Sequence, residues 1–96
     1  MDLSMTTVTI PLDAYPNQIV SAVINNDRWT ISLFTRLGQL FATVETEENG
    51  VLVSNRVCLD SVPITPNLVF IDANGTKTPE YTGLNSRFFL VWSDET

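Results

Sequence analysis

Arg28-Trp29-Thr30-Ile31-Ser32-Leu33-Phe34-Thr35-Arg36 alternates bulky apolar with small polar side chains. In an extended chain successive side chains point to opposite faces, so Trp29, Ile31 and Leu33 share one face while Thr30 and Ser32 share the other. That period marks a half-buried β-strand. Gln18–Ile24 (QIVSAVI) precedes it and is equally rich in β-branched residues. Asn25-Asn26-Asp27 lies between the two, and Asn and Asp tolerate the positive φ of a tight hairpin, so these residues are read as its tip.

The same grammar continues outward. Thr6–Pro11 (TTVTIP) reads as a short first strand at a sheet edge, because proline cannot donate to a ladder. Leu12–Asn17 is a loop, and residues 1–5 read as an extension before the domain. Leu37-Gly38-Gln39 turns into a fourth strand, Leu40–Thr46, with Leu40, Ala42 and Val44 on one face. Glu47–Gly50 turns into a fifth, Val51–Leu59, where alternation predicts that Val51, Val53, Val57 and Leu59 share a face. Pro63 and Pro66 stiffen a connection over Asp60–Asn67. Leu68–Ala73 is a sixth strand, and Thr76–Thr82 a weak edge strand limited by Pro79. Gly83–Ser86 turns into Arg87–Ser93 (RFFLVWS), where Phe88, Leu90 and Trp92 oppose Phe89 and Val91. Both faces of that strand are apolar, which predicts a central or interface position. No segment carries helical apolar spacing over a useful length, so at most one short helical turn is expected. Many short strands between regular turn signals specify a single all-β domain, a small antiparallel β-barrel or sandwich of about six to eight strands.

Composition narrows the function. The 96-residue chain has a net charge of −6, with Arg28, Arg36, Arg56, Lys77 and Arg87 scattered along it. No basic cluster exists to neutralise phosphates, which argues against binding a nucleic-acid backbone or an anionic membrane. Only 17% of residues are charged, below the usual roughly 25%. Low charge fits sheet rich in Thr, Ser and Asn, and it equally fits a surface covered by neighbours. The lone Cys58 sits in an apolar run and reads as a small buried hydrophobe, as expected for a chain made in a reducing cytoplasm. The first residues lack the basic and apolar regions of a signal peptide, and no apolar run reaches the roughly 18 residues of a membrane helix.

Chemistry is scarce. Histidine is absent, which removes the commonest acid–base group and the usual zinc ligand. Asp13, Asp60, Asp72 and Glu80 lie at strand ends or in loops, and nothing in the sequence pairs two of them against an apolar wall. Asp72-Ala73-Asn74-Gly75 resembles the start of a calcium loop but lacks the later acidic ligands, so it reads as a turn. The expectation is no enzyme, no cofactor and no metal.

Aromatics are the remaining signal. Phe88 and Phe89 cannot both face one core, and Phe34 is out of phase with Trp29, Ile31 and Leu33. Aromatics directed away from a core are covered by a partner, packed under loops, or used to stack a ligand. Phe34, Phe89, Val91, Trp92, Tyr15 and Tyr81 are therefore the candidate interface residues.

One ordered pattern is more specific. Ile10-Pro11-Leu12 is followed by Pro16-Asn17-Gln18, a strand, an Asn/Asp turn and Trp29–Leu33; later come Leu68–Asp72, Pro79, Gly83-Leu84 and an apolar strand from Arg87. Over roughly residues 8–92 this order resembles the baseplate plug family of contractile-tailed bacteriophages. The resemblance implies a structural virion protein in the central hub of the tail baseplate. It would contact hub, spike and tail-tube proteins and be present in several copies. It implies no catalytic residues. The motif itself reads locally: Pro11 and Pro16 stiffen the approach to the second strand, Asn17 and Gln18 bond backbone at that corner, and Gly83 permits a turn. The rival expectation is a small carbohydrate- or peptide-binding β module of a phage tail, which requires Tyr15, Tyr81 or Trp92 to line one exposed groove.

Overall fold

Alternation in the sequence becomes two antiparallel sheets. The computed structural model describes residues 7–94; Thr6 of the expected first strand and the expected extension over residues 1–5 lie outside the described residues. The strands are β1 (Thr7–Ile10), β2 (Gln18–Ile24), β3 (Asp27–Arg36), β4 (Gln39–Thr46), β5 (Gly50–Val57), β6 (Leu68–Asp72) and β7 (Phe88–Ser93). They assemble as β1-β7-β6 and β2-β3-β4-β5. The fold is therefore a seven-stranded sandwich and not a closed barrel. β1 is an edge strand and β7 is central, as the proline after the one and the double apolar faces of the other predict.

The core lies between the sheets. Trp29, Ile31 and Leu33 of β3 and Leu40, Ala42 and Val44 of β4 meet Ile10, Leu68, Phe70, Phe88, Leu90 and Trp92, all buried. Each large side chain so buried contributes about 1.5–3 kcal/mol, which makes the period-two pattern of β3 and β4 the main determinant of the fold. The rings of Trp29 and Trp92 meet edge to face at 6.0 Å and close one end of the sandwich.

Three tight turns set the register of the larger sheet. Asn25 and Asn26 (φ 52° and 65°) form a two-residue hairpin between β2 and β3. The tip is thus two residues and not three, because Asp27 already pairs with Ile24. Leu37 and Gly38 (φ 52° and 76°) do the same between β3 and β4. Between β4 and β5, Gly50 takes φ 72° opposite Thr46, whose Oγ1 accepts the Asn49 N–H at 3.0 Å.

Three expectations need correction. The fifth strand does not keep its alternation. Val44 pairs with Val53 but Ala42 pairs with Arg56 and Thr46 with Gly50, so β5 carries two extra residues relative to β4. The residues opposite the core-facing row of β4 recur every third position, and Val51, Val53, Val57 and Leu59 do not form one buried face. Asn55, at φ 53° within the strand, donates its N–H to Thr43 Oγ1 at 3.1 Å at one of these bulges. Second, Thr76–Thr82 is not a strand; Pro79 is buried there and Tyr81–Gly83 forms a short 3-10 turn. Third, the Asp60–Asn67 connection does more than link strands, because it runs along the free edge of β6: Ser61 donates to the Phe70 carbonyl at 2.8 Å and Ile64 to the Leu68 carbonyl at 2.7 Å.

Candidate assembly surfaces

The residues singled out in the sequence fall into three places. The first is the corner before β2. Gln18 folds its side chain back across it: Oε1 accepts the Asp13 N–H at 3.1 Å, and Nε2 donates to the Asp13 carbonyl at 2.6 Å. Asn17 Oδ1 accepts the Thr35 N–H at 3.3 Å, and Thr35 Oγ1 donates to the Pro16 carbonyl at 2.8 Å. These bonds tie the corner to the end of β3. Ile10 and Leu12 on either side of Pro11 are buried, so the Ile-Pro-Leu and Pro-Asn-Gln segments hold the chain where it crosses from one sheet to the other. Tyr15 stands out of this corner, 61% exposed.

The second place is the outer face of the small sheet. Pairing sets Val91 beside Val69 and Phe89 beside Ile71, on the face opposite Leu90 and Phe70. Val69, Phe89 and Val91 are half-buried and Ile71 is exposed, giving one apolar patch. It runs into a groove of about 270 Å³ beside Pro63, Pro66 and Asn67.

The third is the outer face of the large sheet. Phe34 and Phe41 pair across β3 and β4 and stack at 5.5 Å, with the Arg36 guanidinium 5.9 Å and 5.6 Å from their ring centres. This half-buried aromatic pair under a cation is a compact contact surface. Leu37, next in the chain, is fully exposed at the tip of its hairpin.

Trp92 does not belong with these. It is 4% exposed and packs on Trp29, because its parity in β7 matches Phe88 and Leu90 rather than Phe89 and Val91. Tyr81 lies partly buried against the core. Gly83 also has a different role from the one its turn suggests. A Cβ there would lie 2.7 Å from the Phe88 ring, so close packing excludes a side chain.

Asp72 and Asp60 hold loops. Asp72 has a fully buried carboxylate whose two oxygens accept from Arg87 Nε and Nη2 at 2.7 Å and 2.8 Å. The backbone N–H groups of Asn74 and Lys77 donate to the same carboxylate at 2.9 Å and 2.8 Å. The Arg87 hydrogen bonds, aided by those backbone donors and opposed by burial, hold this carboxyl well below the usual range. Each oxygen already has two donors, so this carboxylate is committed to the turn and to Arg87. Asp60 Oδ1 accepts the Asp72 N–H at 2.8 Å, so these two acids share a structural joint rather than a pocket. Burial pushes the Cys58 thiol up to about 12. Among the described residues, no group of three His, Cys, Asp or Glu is placed to hold a metal ion. Among the described residues, no helix is long and apolar enough to cross a membrane.

The sequence missed Phe41, Arg36 and Leu37 as surface features. Phe41 was legible, since it is out of phase with Leu40 and Ala42 just as Phe34 is with Leu33.

A family model described as the cyanophage baseplate Pam3 plug gp18 matches residues 7–95. Comparison with curated proteins finds no match. Because the family match runs through every strand of both sheets, the chain belongs to the cyanophage baseplate plug family, and it is a structural protein of the phage tail baseplate.

Proposed function

We propose that this protein acts without catalysis as a plug in the central hub of the baseplate, between tail tube and spike, in several copies per virion. The observation that supports this is the outer face of the small sheet. A sandwich needs only its inner faces to fold, yet Val69, Ile71, Phe89 and Val91 form an apolar patch on the opposite side. Apolar patches on the outside of a small domain mark contact surfaces. Neighbouring hub, spike or tube chains are the partners this patch serves. The rival reading, a sugar- or peptide-binding module, draws no support from the aromatics. Trp92 is in the core, and neither the groove beside Pro63 and Pro66 nor a second of about 430 Å³ between β5 and Pro63–Pro66 is lined by an aromatic ring.

Phe89→Asp tests the proposal. The variant is expected to fold, with circular dichroism unchanged and a small fall in Tm, yet to be missing from purified particles by mass spectrometry. A variant that fails to fold assigns this face to the core. A folded variant incorporated as well as the parent chain contradicts the contact.

A further inference from the structure

We infer that β2 is the edge through which two copies of this chain pair, antiparallel and centred on Ser21, joining their larger sheets into one eight-stranded sheet. A free strand edge is a template for pairing, and proteins usually block it with bulges, prolines, charges or covering loops. This molecule blocks its other edges. The Asp60–Asn67 connection covers β6 with hydrogen bonds from Ser61 and Ile64. Two bulges break β5. Over the described residues β1 is four residues in length, and it stops at Pro11. By contrast, β2 is seven residues long, unbroken in its pairing with β3, and free of proline.

The unused groups of β2 can be counted from its hairpin. In a two-residue hairpin the flanking pair, here Ile24 and Asp27, exchanges both backbone hydrogen bonds. Every second residue down the ladder does the same, so Ala22, Val20 and Gln18 point their N–H and C=O groups at β3. Ile19, Ser21 and Val23 point theirs outward. These three also carry exposed side chains, Ile19 at 71% and Val23 at 63%.

A second copy meets this edge with matching chemistry. Antiparallel pairing about Ser21 sets Ser21 against its own counterpart and Ile19 against Val23 of the second copy. All three outward-pointing residues then exchange backbone bonds, and both apolar side chains gain an apolar neighbour. No residue from Ala14 to Asn26 is charged, so the net charge of −6 is not concentrated where the copies approach. Asn17 falls opposite Asn25 of the second copy, an uncharged amide pair at each end.

The test is the mass of the isolated full chain in solution, with hydrogen exchange as a second readout. The parent chain is expected at twice its 10.7 kDa at high concentration, dissociating on dilution. Ser21→Pro removes one outward N–H and leaves the bonds from β2 to β3 in place, because that N–H is not used there. It is expected to stay monomeric and folded. In the parent chain the amides of Ile19, Ser21 and Val23 are expected to become protected as concentration rises. A chain that remains at 10.7 kDa, with those three amides exchanging freely at every concentration, overturns the pairing and leaves the edge to a strand of another baseplate chain. So does a Ser21→Pro dimer as strong as the parent. The inference does not rest on the hub position. A monomer found in virions removes only this pairing, and a dimer absent from virions removes only the proposed location.

Discussion

Leu37 holds a conformation that its side chain disfavours. It has φ 52° and is fully exposed, at a turn position where Asn or Gly is usual. A left-handed residue with a branched side chain costs about 1–2 kcal/mol, and no burial offsets it here. Leu37→Asn is therefore expected to stabilise the isolated chain by about 0.5–1 kcal/mol, read as a rise in the denaturant midpoint. A fall in stability would mean that the leucine side chain packs on something in the free protein. Asp72 makes the complementary case. Its carboxyl is held below its unfolded range chiefly by the Arg87 hydrogen bonds, so below about pH 4 the unfolded chain binds a proton that the folded chain refuses. The stability it contributes is thus full above pH 4 and is lost as pH falls further. Asp72→Asn should lower Tm at pH 7 and flatten the acid limb of a Tm-against-pH curve; an unchanged acid limb would contradict this role.

At the scale of elements, legibility followed regularity. β2 is bounded by the same residues in sequence and structure, and β3 and β4 to within one residue, because alternation ran unbroken between residues able to take positive φ. β5 shows the limit. Two inserted residues changed its parity, and nothing in Val51–Leu59 marks them except Asn55, a residue that tolerates φ 53° but is equally at home in many other places. Thr76–Thr82 failed for another reason. The Asp72 carboxylate accepts the Lys77 N–H there, and a side chain that bonds a backbone group five residues away leaves no periodic trace. The corner motif was legible residue by residue, since Asn17 and Gln18 both bond backbone there. The outer aromatics were legible by phase alone for Phe34 and Phe89. Trp92 is buried because its parity matches Phe88 and Leu90, a signal that outweighs the surface preference of its residue type.

For the whole molecule, the same rule of alternation serves folding and assembly. Inner-face residues close the sandwich, and the out-of-phase residues supply two outer patches, Val69–Ile71–Phe89–Val91 and Phe34–Phe41–Arg36, on opposite sides of the fold. Asp72 is bonded in a loop joint and the Cys58 thiol is buried, and the two apolar patches are side-chain surfaces offered to a neighbour. That arrangement suits a baseplate plug, which acts by occupying a place between other chains. The most direct measurement is an image reconstruction of the intact baseplate at side-chain detail. The sandwich is expected in the central hub, with Phe89 and Val91 buried against another chain. Finding the sandwich elsewhere in the particle, or in the hub with both outer patches open to solvent, would contradict it.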